Sequence, residues 1–437
     1  MTTSPFDSAV LGPLFGDPEM AALLADSAQI RALLTVEAAL ARVQGRLGVI
    51  PADAATRIAE VAAHLEPDMA AIGAGTARDG VPIPALIKAL RAGVGKRAAP
   101  YVHWGATSQD IVDTGLVLRL RDALTLLAAR LEEVIAALTA QARAHRGLVM
   151  AARTRSQIAM PTTFGLKVAT WLAPLLRHRD RLAELRPRLE VVQFGGAAGT
   201  LAALGEHGIA VMEGLAAELG LAPPPLPWHS QGDIIAELGG WLSLLTGSLG
   251  KMGEDLVLLG QSEVGEVTAG DGGGSSTMPN KSNPVAAETL VALARFNAGM
   301  VGTLHQALIQ RHERDGAAWP LTWLALPPML MVTAGALAHA QRLAAALEPN
   351  AARMAEHLEA THGLILAEAA TFLLAAHMPR PQAQELVAAC CKEATAAGRH
   401  LFDILAERAD APIDWPAEKD PARHVGAAEA LVKRLIP

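Results

Sequence analysis

One stretch of the chain, residues 116–146, contains neither glycine nor proline, and it constrains the fold more than any other stretch. Apolar residues recur in it at heptad spacing, at Leu124, Leu127, Leu131, Val134 and Leu138. This spacing places an apolar stripe along one side of a helix, which packing against other helices would bury. At about 1.5 Å per residue the helix would be roughly 46 Å long, a length typical of helical bundles in soluble proteins.

Four further segments carry long helical patterns, so the sequence predicts a central bundle of five long helices. These segments cover residues 164–192, 233–267, 284–311 and 328–347. Shorter helices are predicted before them, at 27–47, 54–65 and 83–92, and after residue 347. Composition favours an all-α fold, because 51 % of the residues are hydrophobic and only 3 % are aromatic, with alanine and leucine filling the difference.

The order of these segments predicts three helical domains. They are an N-terminal domain over 1–100, a central long-helix domain over 101–347 and a small C-terminal domain over 348–437. The heptad leucines and the high glycine content of segment 233–267 exceed what the surface of a monomer needs, and small residues let helices approach closely. We therefore expect the helical bundles of several chains to assemble into one shared helical core.

Charge, cysteine content and terminal sequence exclude several classes of function. The formal net charge of −7 argues against a general nucleic-acid surface, and the 14 histidines form no ligand-spaced cluster that would predict a metal site. Cys390 and Cys391 are adjacent and cannot form an ordinary disulfide framework, which favours a reducing compartment. Residues 1–20 carry no secretory pattern, and no stretch demands a membrane span. We expect a cytoplasmic protein.

The segment 270–284, G-D-G-G-G-S-S-T-M-P-N-K-S-N-P, concentrates the residues suited to chemistry. Its glycines permit close backbone approach to a ligand, and two hydroxyls, Ser275 and Ser276, follow them. Lys281 and Asn283 add a cation and an amide before a predicted helix start, where backbone N–H groups attract anions. A flexible linker and a purely structural loop are the alternatives. A nucleotide-phosphate loop would need a Lys-Ser or Lys-Thr pair directly after its last glycine, which is absent.

Part of this segment, G-S-S-T-M-P-N-K-S-N-P, closely resembles the signature G-S-S-x-M-P-x-K-x-N-P of the fumarase/aspartase superfamily. The resemblance implies an all-helical homotetramer whose bundles form a tetrameric helical core and which works without a cofactor or metal. It would add or remove a group beta to a carboxylate, through an enolate-like intermediate. It also implies that Ser275 transfers the proton. Ser276, Met278, Lys281 and Asn283 would then bind the substrate, in active sites built from three subunits.

The segment 101–114, Y-V-H-W-G-A-T-S-Q-D-I-V-D-T, precedes the long helix. Read from the residues alone, it is a helix start capped by Ser108 or Asp110, with His103 as a core histidine. It also matches the first superfamily segment, H-x-x-x-T-S-x-D. By that resemblance Thr107 and Ser108 hydrogen-bond a substrate carboxylate, and His103 orients the substrate or shares the proton.

The segment 153–165, R-T-R-S-Q-I-A-M-P-T-T-F-G, is similar to the adenylosuccinate lyase pattern R-T-H-x-Q-x-A-x-P-x-T-F-G, in which the histidine is the general acid. Arg155 stands at that position here. A guanidinium stays protonated near pH 7 and cannot donate a proton, but it can clamp an oxyanion through two hydrogen bonds. We assign Arg153, Arg155 and Gln157 to substrate binding, with an ordinary surface arginine as the alternative for Arg155.

Further stretches narrow the resemblance to the bacterial 3-carboxymuconate cycloisomerases, over about residues 5–410. They include L-P-W-H at 226–229 and H-E-R at 312–314, and the latter adds Arg314 to the substrate-binding residues. The chain departs from the usual cycloisomerase pattern by losing or gaining basic residues at several positions, among them Arg155, Gly232, Gly272, Asn280 and Ser282. This redistribution indicates a shifted substrate more than a lost function.

The resemblance therefore implies lactonisation of 3-carboxy-cis,cis-muconate to a carboxymuconolactone, in protocatechuate catabolism through the β-ketoadipate pathway. The first alternative is the same reaction on a 3-substituted analogue such as 3-sulfomuconate. The second is a fumarate-releasing lyase of the adenylosuccinate type, which Arg155 speaks against. A non-enzymatic scaffold is a third, and the intact Ser275, Lys281 and Asn283 count against it.

Overall fold

The computed structural model describes residues 4–270, 272–274 and 277–436. The N-terminal part folds into helices α1 to α6, which are Gly12–Phe15, Pro18–Leu24, Asp26–Arg46, Ala52–His64, Met69–Asp79 and Ile83–Val94. The next part carries the long helices and one shorter one, namely α7 Ser108–Ala144, α8 Phe164–Leu189, α9 Gly208–Leu219, α10 Asp233–Leu259, α11 Val285–Gln306 and α12 Trp319–Ala345. The C-terminal helices are α13 Ala351–Glu359, α14 Ala367–Ala375, α15 Arg380–Ala397, α16 Leu401–Arg408, α17 Trp415–Glu418 and α18 Ala428–Leu435.

Short strands and 3₁₀ turns connect these helices. The strands pair antiparallel in three two-stranded ribbons, β1 Val149–Thr154 with β2 Gln157–Thr163, β3 Val267–Ala269 with β6 Leu347–Pro349, and β4 Gly273–Gly274 with β5 Ser282–Asn283. The 3₁₀ turns are Pro5–Asp7, Ala99–Tyr101, Ala202–His207, Leu364–Leu366 and Pro421–His424. The predicted all-α class is thus confirmed, with ribbons as minor additions.

Two compact units make up the chain, and the long helices contribute residues to both. The first unit comprises Met1–Arg130, His178–Gly247 and Leu293–Ala336. The second comprises Leu131–Arg177, Ser248–Ala292 and Leu337–Pro437. The predicted three-domain division at residues 100 and 347 stays a prediction.

Each unit has its own apolar core. The first unit buries the inner faces of α3, α4, α6 and α9, with Leu34 and Leu86 fully shielded from solvent. The second unit buries apolar residues of α14, α15 and α16 around Phe402 and Trp415, whose rings meet edge to face at 5.2 Å. Burial of these side chains contributes about 1.5–3 kcal/mol each, which makes the two cores the main source of stability.

The heptad prediction for α7 is confirmed, since all five heptad residues are at most 1 % exposed. The predicted start of the last long helix at residue 328 is wrong. Helix α12 begins at Trp319 and continues through Pro327 and Pro328. A proline inside a helix costs about 3 kcal/mol, but Met329 and Leu330 directly after it are fully buried and offset that cost.

Other sequence-based boundaries also need correction. Helix α10 ends at Leu259 rather than near residue 267, because Gly260 begins a turn that leads into β3. Helices α5 and α9 and the β1–β2 ribbon were not predicted at all.

One described helix, Trp319–Ala345, is long and apolar enough to cross a membrane, and a bent pair, Ala351–Glu359 with Leu364–Ala375, passes the same test as one span. Most of the apolar window of Trp319–Ala345, 61 %, is buried inside the protein. Core helices of soluble proteins have these properties too, so length and composition are weak evidence of a membrane span here.

Candidate active site

In the first unit, the residue pair Thr107 and Ser108 stands at the start of α7. The Thr107 backbone N–H donates to Asp110 Oδ2 at 2.9 Å, as in half of a capping box, because Asp110 is the third residue of the helix. The Thr107 hydroxyl makes a separate contact, because its oxygen accepts a hydrogen bond from Arg314 Nη1 at 2.7 Å. Thr107, Ser108 and Arg314, all predicted to bind substrate, therefore lie together where helix N–H groups attract anions.

Asp110 holds this helix start in place. Its carboxylate is completely buried. It lies within 2.7–3.3 Å of five nitrogens, the backbone N of Thr107, Gly195 and Gly196, Gln193 Nε2 and His229 Nε2. A buried carboxylate is tolerable only when its charge is met by such donors, so this network fixes the segments 193–196 and 228–229 against α7.

A second buried acid, Asp113, follows one helical turn later. It accepts from Trp319 Nε1 at 2.8 Å and from Gln109 Nε2 at 3.0 Å. Burial, only partly countered by these two hydrogen bonds, raises the pKa of Asp113 to about 7. Gln109 also accepts from Arg314 Nε at 3.1 Å, which connects Asp113 to the Thr107 contact.

His103, predicted to be catalytic, is held by a buried glutamate. Its Nδ1 lies 2.5 Å from Glu37 Oε1, and Glu37 is 1 % exposed. Burial of the imidazole lowers its pKa, but the charge and hydrogen bond of Glu37 outweigh burial, so the pKa of His103 is raised. The backbone at His103 is left-handed, with φ of +62°, a conformation that costs a non-glycine residue about 1–2 kcal/mol. Strain of this kind is often kept at functional sites.

In the second unit, Arg153 lies near the end of β1 and is paired inside the protein. Its two terminal nitrogens each lie 2.8 Å from a carboxylate oxygen of Glu266, which is completely buried. His357 Nδ1 lies 2.7 Å from the same carboxylate. The charge of Arg153 is therefore already balanced by a bidentate partner, and its role in substrate binding stays a prediction.

Arg155 and Gln157 lie at the other end of the β1–β2 ribbon. Arg155 and Ser156 form its two-residue turn, with φ of +51° and +66°, the geometry of a hairpin turn that usually contains asparagine or glycine. Both Arg155 and Gln157 are exposed, as are the apolar side chains of Ile158 and Met160. Within the described chain the Arg155 guanidinium has no hydrogen-bond partner.

The signature segment forms a small ribbon, in which Gly273 pairs with Asn283 and Gly274 with Ser282. Close approach explains the glycines here, because a Cβ added at Gly272 would lie 1.6 Å from the Ser282 hydroxyl oxygen. Ser275 and Ser276 lie outside the described residues. Met278 and Lys281 are exposed between the strands, and Lys281 N donates to the Met278 carbonyl at 3.1 Å.

A pocket of about 190 Å³ adjoins this ribbon. Its walls include Gly270, Gly272, Asn283 and the first residues of α11, which begins at Val285, directly after Pro284. The predicted proline-led helix start is therefore observed within one residue. Nowhere in the described ranges do three histidine, cysteine, aspartate or glutamate side chains converge on a possible metal position.

Comparison with known proteins places the chain in a family. A family described as Lyase matches residues 19–297, and one described as Adenylosuccinate lyase C-terminus matches residues 363–435. The chain belongs to the lyase family. The fumarase/aspartase recognition from the signature segment is thereby confirmed.

Several members of this lyase family are similar over almost their full length. The 3-carboxy-cis,cis-muconate cycloisomerase of Bradyrhizobium diazoefficiens is 43 % identical over 98 % of both chains. The protein of the same name from Pseudomonas aeruginosa is 46 % identical over 95 % of this chain and 93 % of its own. A crystal structure of 3-carboxy-cis,cis-muconate lactonizing enzyme from Pseudomonas putida has a TM-score of 0.92 and 40 % identity, and covers 98 % of both chains.

The predicted site is supported by buried charged residues that no sequence pattern assigned to it. These are Glu37, Asp113, His229 and Glu266, together with Asp110, which the sequence predicts only as a possible helix cap. A signal was present for some of them, because Glu37 interrupts the apolar face of α3, and a charge at such a position is rarely buried without a partner. Partners such as His229, 119 residues from Asp110, could not be identified without the fold.

Proposed function

We propose that this chain is a cycloisomerase that lactonises 3-carboxy-cis,cis-muconate to a carboxymuconolactone in aromatic catabolism. Full-length similarity to relatives of that name, at 43–46 % identity, carries the proposal. The site in the first unit supports it, because a hydroxyl pair, a guanidinium and a helix N-terminus together suit a carboxylate-rich substrate.

In this reaction one carboxylate oxygen of the substrate forms a C–O bond to a carbon of the conjugated double bond. The neighbouring carbon, alpha to another carboxylate, gains a proton, so no atom is lost. The intermediate is an enolate-like anion with a doubly charged carboxylate, and preorganised donors must stabilise that charge where it develops. The rate therefore depends on how well cations and hydroxyls stabilise this charge.

The predicted residues divide these tasks. Ser275 transfers the proton, and Lys281 and Asn283 stabilise both its alkoxide and the enolate-like anion. Thr107, Ser108 and Arg314 bind a substrate carboxylate. His103, whose raised pKa keeps it positively charged over more of the neutral range, orients the substrate or shares the proton. Arg153, Arg155, Gln157, Ser276 and Met278 complete the binding surface.

Turnover of 3-carboxymuconate, 3-sulfomuconate and adenylosuccinate, followed by ultraviolet absorbance, tests this function. The purified protein should convert 3-carboxymuconate and leave adenylosuccinate unchanged, because Arg155 replaces the general-acid histidine of the nucleotide lyases. Release of fumarate from adenylosuccinate at a rate above that of muconate turnover would overturn the proposal.

Lactonisation of 3-sulfomuconate is the second candidate function, and Arg155 favours it. The exposed guanidinium at the ribbon turn has no partner in the described chain and can pair with a sulfonate through two hydrogen bonds. The same assay decides between the two functions. If the second candidate is correct, kcat/KM for 3-sulfomuconate will exceed kcat/KM for 3-carboxymuconate.

We also propose a homotetramer with shared active sites, acting in the cytoplasm. The predicted site residues belong to both compact units, and by resemblance the family assembles such sites from three subunits. Light scattering at micromolar concentration tests this assembly. An active species with the mass of a single 45.5 kDa chain would contradict it.

A further inference from the structure

A continuous series of side-chain hydrogen bonds in the first unit ends on the predicted substrate-binding pair. Trp319 Nε1 donates to Asp113 Oδ1 at 2.8 Å, and Gln109 Nε2 donates to Asp113 Oδ2 at 3.0 Å. Arg314 Nε donates to Gln109 Oε1 at 3.1 Å, and Arg314 Nη1 donates to Thr107 Oγ1 at 2.7 Å. We call this series the Trp319–Thr107 relay.

The amide of Gln109 can be oriented in only one way within the relay. Its Nε2 also donates to the His229 carbonyl at 2.8 Å, so one side of the amide faces two acceptors. The other side faces Arg314, which has only donors. Asp113 and the His229 carbonyl therefore dictate that the Gln109 oxygen points at the guanidinium.

Burying the carboxyl group of Asp113 costs free energy that a purely structural role would not require. It is 3 % exposed and lies on the same helix face, one turn from the completely buried Asp110. The nearby Asp110 and the desolvated setting both oppose the ionisation of Asp113, and an apolar side chain would pack there without that cost. Both oxygens of Asp113 accept hydrogen bonds, Oδ1 from Trp319 and Oδ2 from Gln109, so the carboxylate orders the side chains on either side of it.

We propose that Gln109 and Asp113 are positioning residues that hold the Arg314 guanidinium in one plane for a substrate carboxylate. The inference rests on the proposed function of Arg314. Two of the five guanidinium N–H groups are used by Gln109 and Thr107, which leaves three for an anion. Because both of those contacts are fixed by buried partners, the remaining N–H groups are aimed before the substrate arrives.

Two nearly isosteric substitutions test the relay. Gln109→Leu removes the acceptor for Arg314. Asp113→Asn keeps the side-chain volume but turns an amide N–H group toward Trp319 Nε1 or Gln109 Nε2, which both donate to Asp113. We expect KM for 3-carboxymuconate to rise about 10–100-fold in both, with kcat within about threefold, because a carboxylate clamp binds ground state and transition state alike. Trp319→Phe, at the far end, should raise KM less. Asp113→Asn keeps the test available if Gln109→Leu does not fold.

A matched control removes a buried hydrogen bond elsewhere in the same unit. The Thr333 hydroxyl accepts from Asn297 at 3.0 Å, 14 residues beyond Trp319 in α12. Thr333→Val should lower stability and leave KM unchanged. If Gln109→Leu and Asp113→Asn also lower stability while KM stays within about twofold, the relay is only structural and the proposal is overturned.

A crystal structure of Gln109→Leu separates failure of the relay from failure of the proposed function. If the wild-type protein does not convert muconates, the proposed function fails, whereas the relay is then judged by geometry alone. We expect the Arg314 guanidinium to leave the Thr107 hydroxyl in this variant. Retention of that 2.7 Å contact would refute the positioning role whatever the substrate is.

Discussion

The Asp110 network in the first unit and the signature ribbon in the second unit, β4 with β5, treat their charged side chains in opposite ways. Asp110 is completely buried, and its carboxylate lies within hydrogen-bond distance of five protein nitrogens. Lys281, in contrast, is exposed, and its ammonium group has no partner within the described residues. The first region balances its buried charge with protein groups, and the second leaves a charged side chain exposed.

This difference predicts how each region responds to substitution. Removing a group from the buried network leaves its former partners unsatisfied, so the main effect falls on folding. Removing an exposed group leaves no buried partner unsatisfied, so the effect falls on turnover. The following experiments are arranged from the largest expected effect to the smallest.

Ser275→Ala should have the largest effect on turnover, although Ser275 lies outside the described residues. A group that transfers the proton typically contributes 10²–10⁴-fold to the rate. We expect kcat for 3-carboxymuconate to fall by that range, with the fold unchanged by circular dichroism and the oligomeric state unchanged by light scattering. Ser276→Ala is the matched control and should lose less. A loss below about tenfold at Ser275 would assign proton transfer elsewhere, with His103 or Ser276 next.

Asp110→Asn should have the largest effect on stability. The new amide group presents a donor to nitrogens that now donate to the carboxylate, which leaves buried groups unsatisfied at a cost of about 3 kcal/mol. Urea denaturation measures the loss. Asp122→Asn, on the same helix but with a side chain 61 % exposed, is the control and should change stability by less than about 0.5 kcal/mol. Equal midpoints for the two variants would remove the contrast between the regions.

Lys281→Met should show the reverse behaviour. Loss of a charge-assisted contact to the anionic intermediate should lower kcat/KM about 10–150-fold, whereas the urea midpoint stays at its wild-type value. Lys433→Met, in α18 with a side chain 61 % exposed, should change neither quantity. A marked loss of stability at Lys281 would mean that the ribbon needs this side chain for folding.

Arg155→Trp tests the ribbon turn as a specificity element. If the guanidinium binds an acidic substituent, kcat/KM for the natural substrate should fall roughly 10–150-fold, and less for an analogue without that substituent. Arg155→Lys keeps the charge but loses the two-pronged geometry, so an intermediate loss is expected. Unchanged kinetics on every muconate would show that the side chain only faces solvent.

Glu37→Gln should have the smallest effect, on the titration of His103. Without the carboxylate, burial dominates, and the pKa of His103 should fall below its ordinary value near 6.5. In the wild type, the stability from the raised pKa is present below about pH 6.5 and is lost as pH rises through the raised pKa. NMR titration of the imidazole measures the pKa of His103 in the wild type and in Glu37→Gln. An unchanged pKa would mean that Glu37 does not set the charge of His103.

Helical periodicity predicted most of the fold from the sequence. Heptad spacing located α7, and apolar spacing located α3 and α4 to within two residues. The β1–β2 ribbon has weak sequence signals, because its turn, Arg155–Ser156, lacks the usual asparagine or glycine, and because a proline, Pro161, is uncommon within a strand. A two-stranded ribbon leaves one edge of each strand unpaired, which tolerates that proline.

The candidate site was predictable only in part. The signature and the T-S-Q-D segment identify residues that are predicted to bind the substrate, because those side chains are close together in the sequence. Their buried partners are far apart in the chain, as with Gln109 and Arg314, which are 205 residues apart. No local pattern encodes such a pairing, since it depends on how the helices pack.

The junction between α7 and α8 has a consequence for the order of folding. The Gly165 backbone N–H donates to the His145 carbonyl at 2.9 Å, and a Cβ at Gly165 would lie 2.5 Å from the Arg146 Cα. This contact closes a loop of about 20 residues around the β1–β2 ribbon, and hairpins in loops this short form within microseconds. The Arg153–Arg155 segment can therefore acquire its shape early. The relay, whose residues come from positions 107–113 and 314–319, must wait until the slower long-range packing of α7 and α12 is complete.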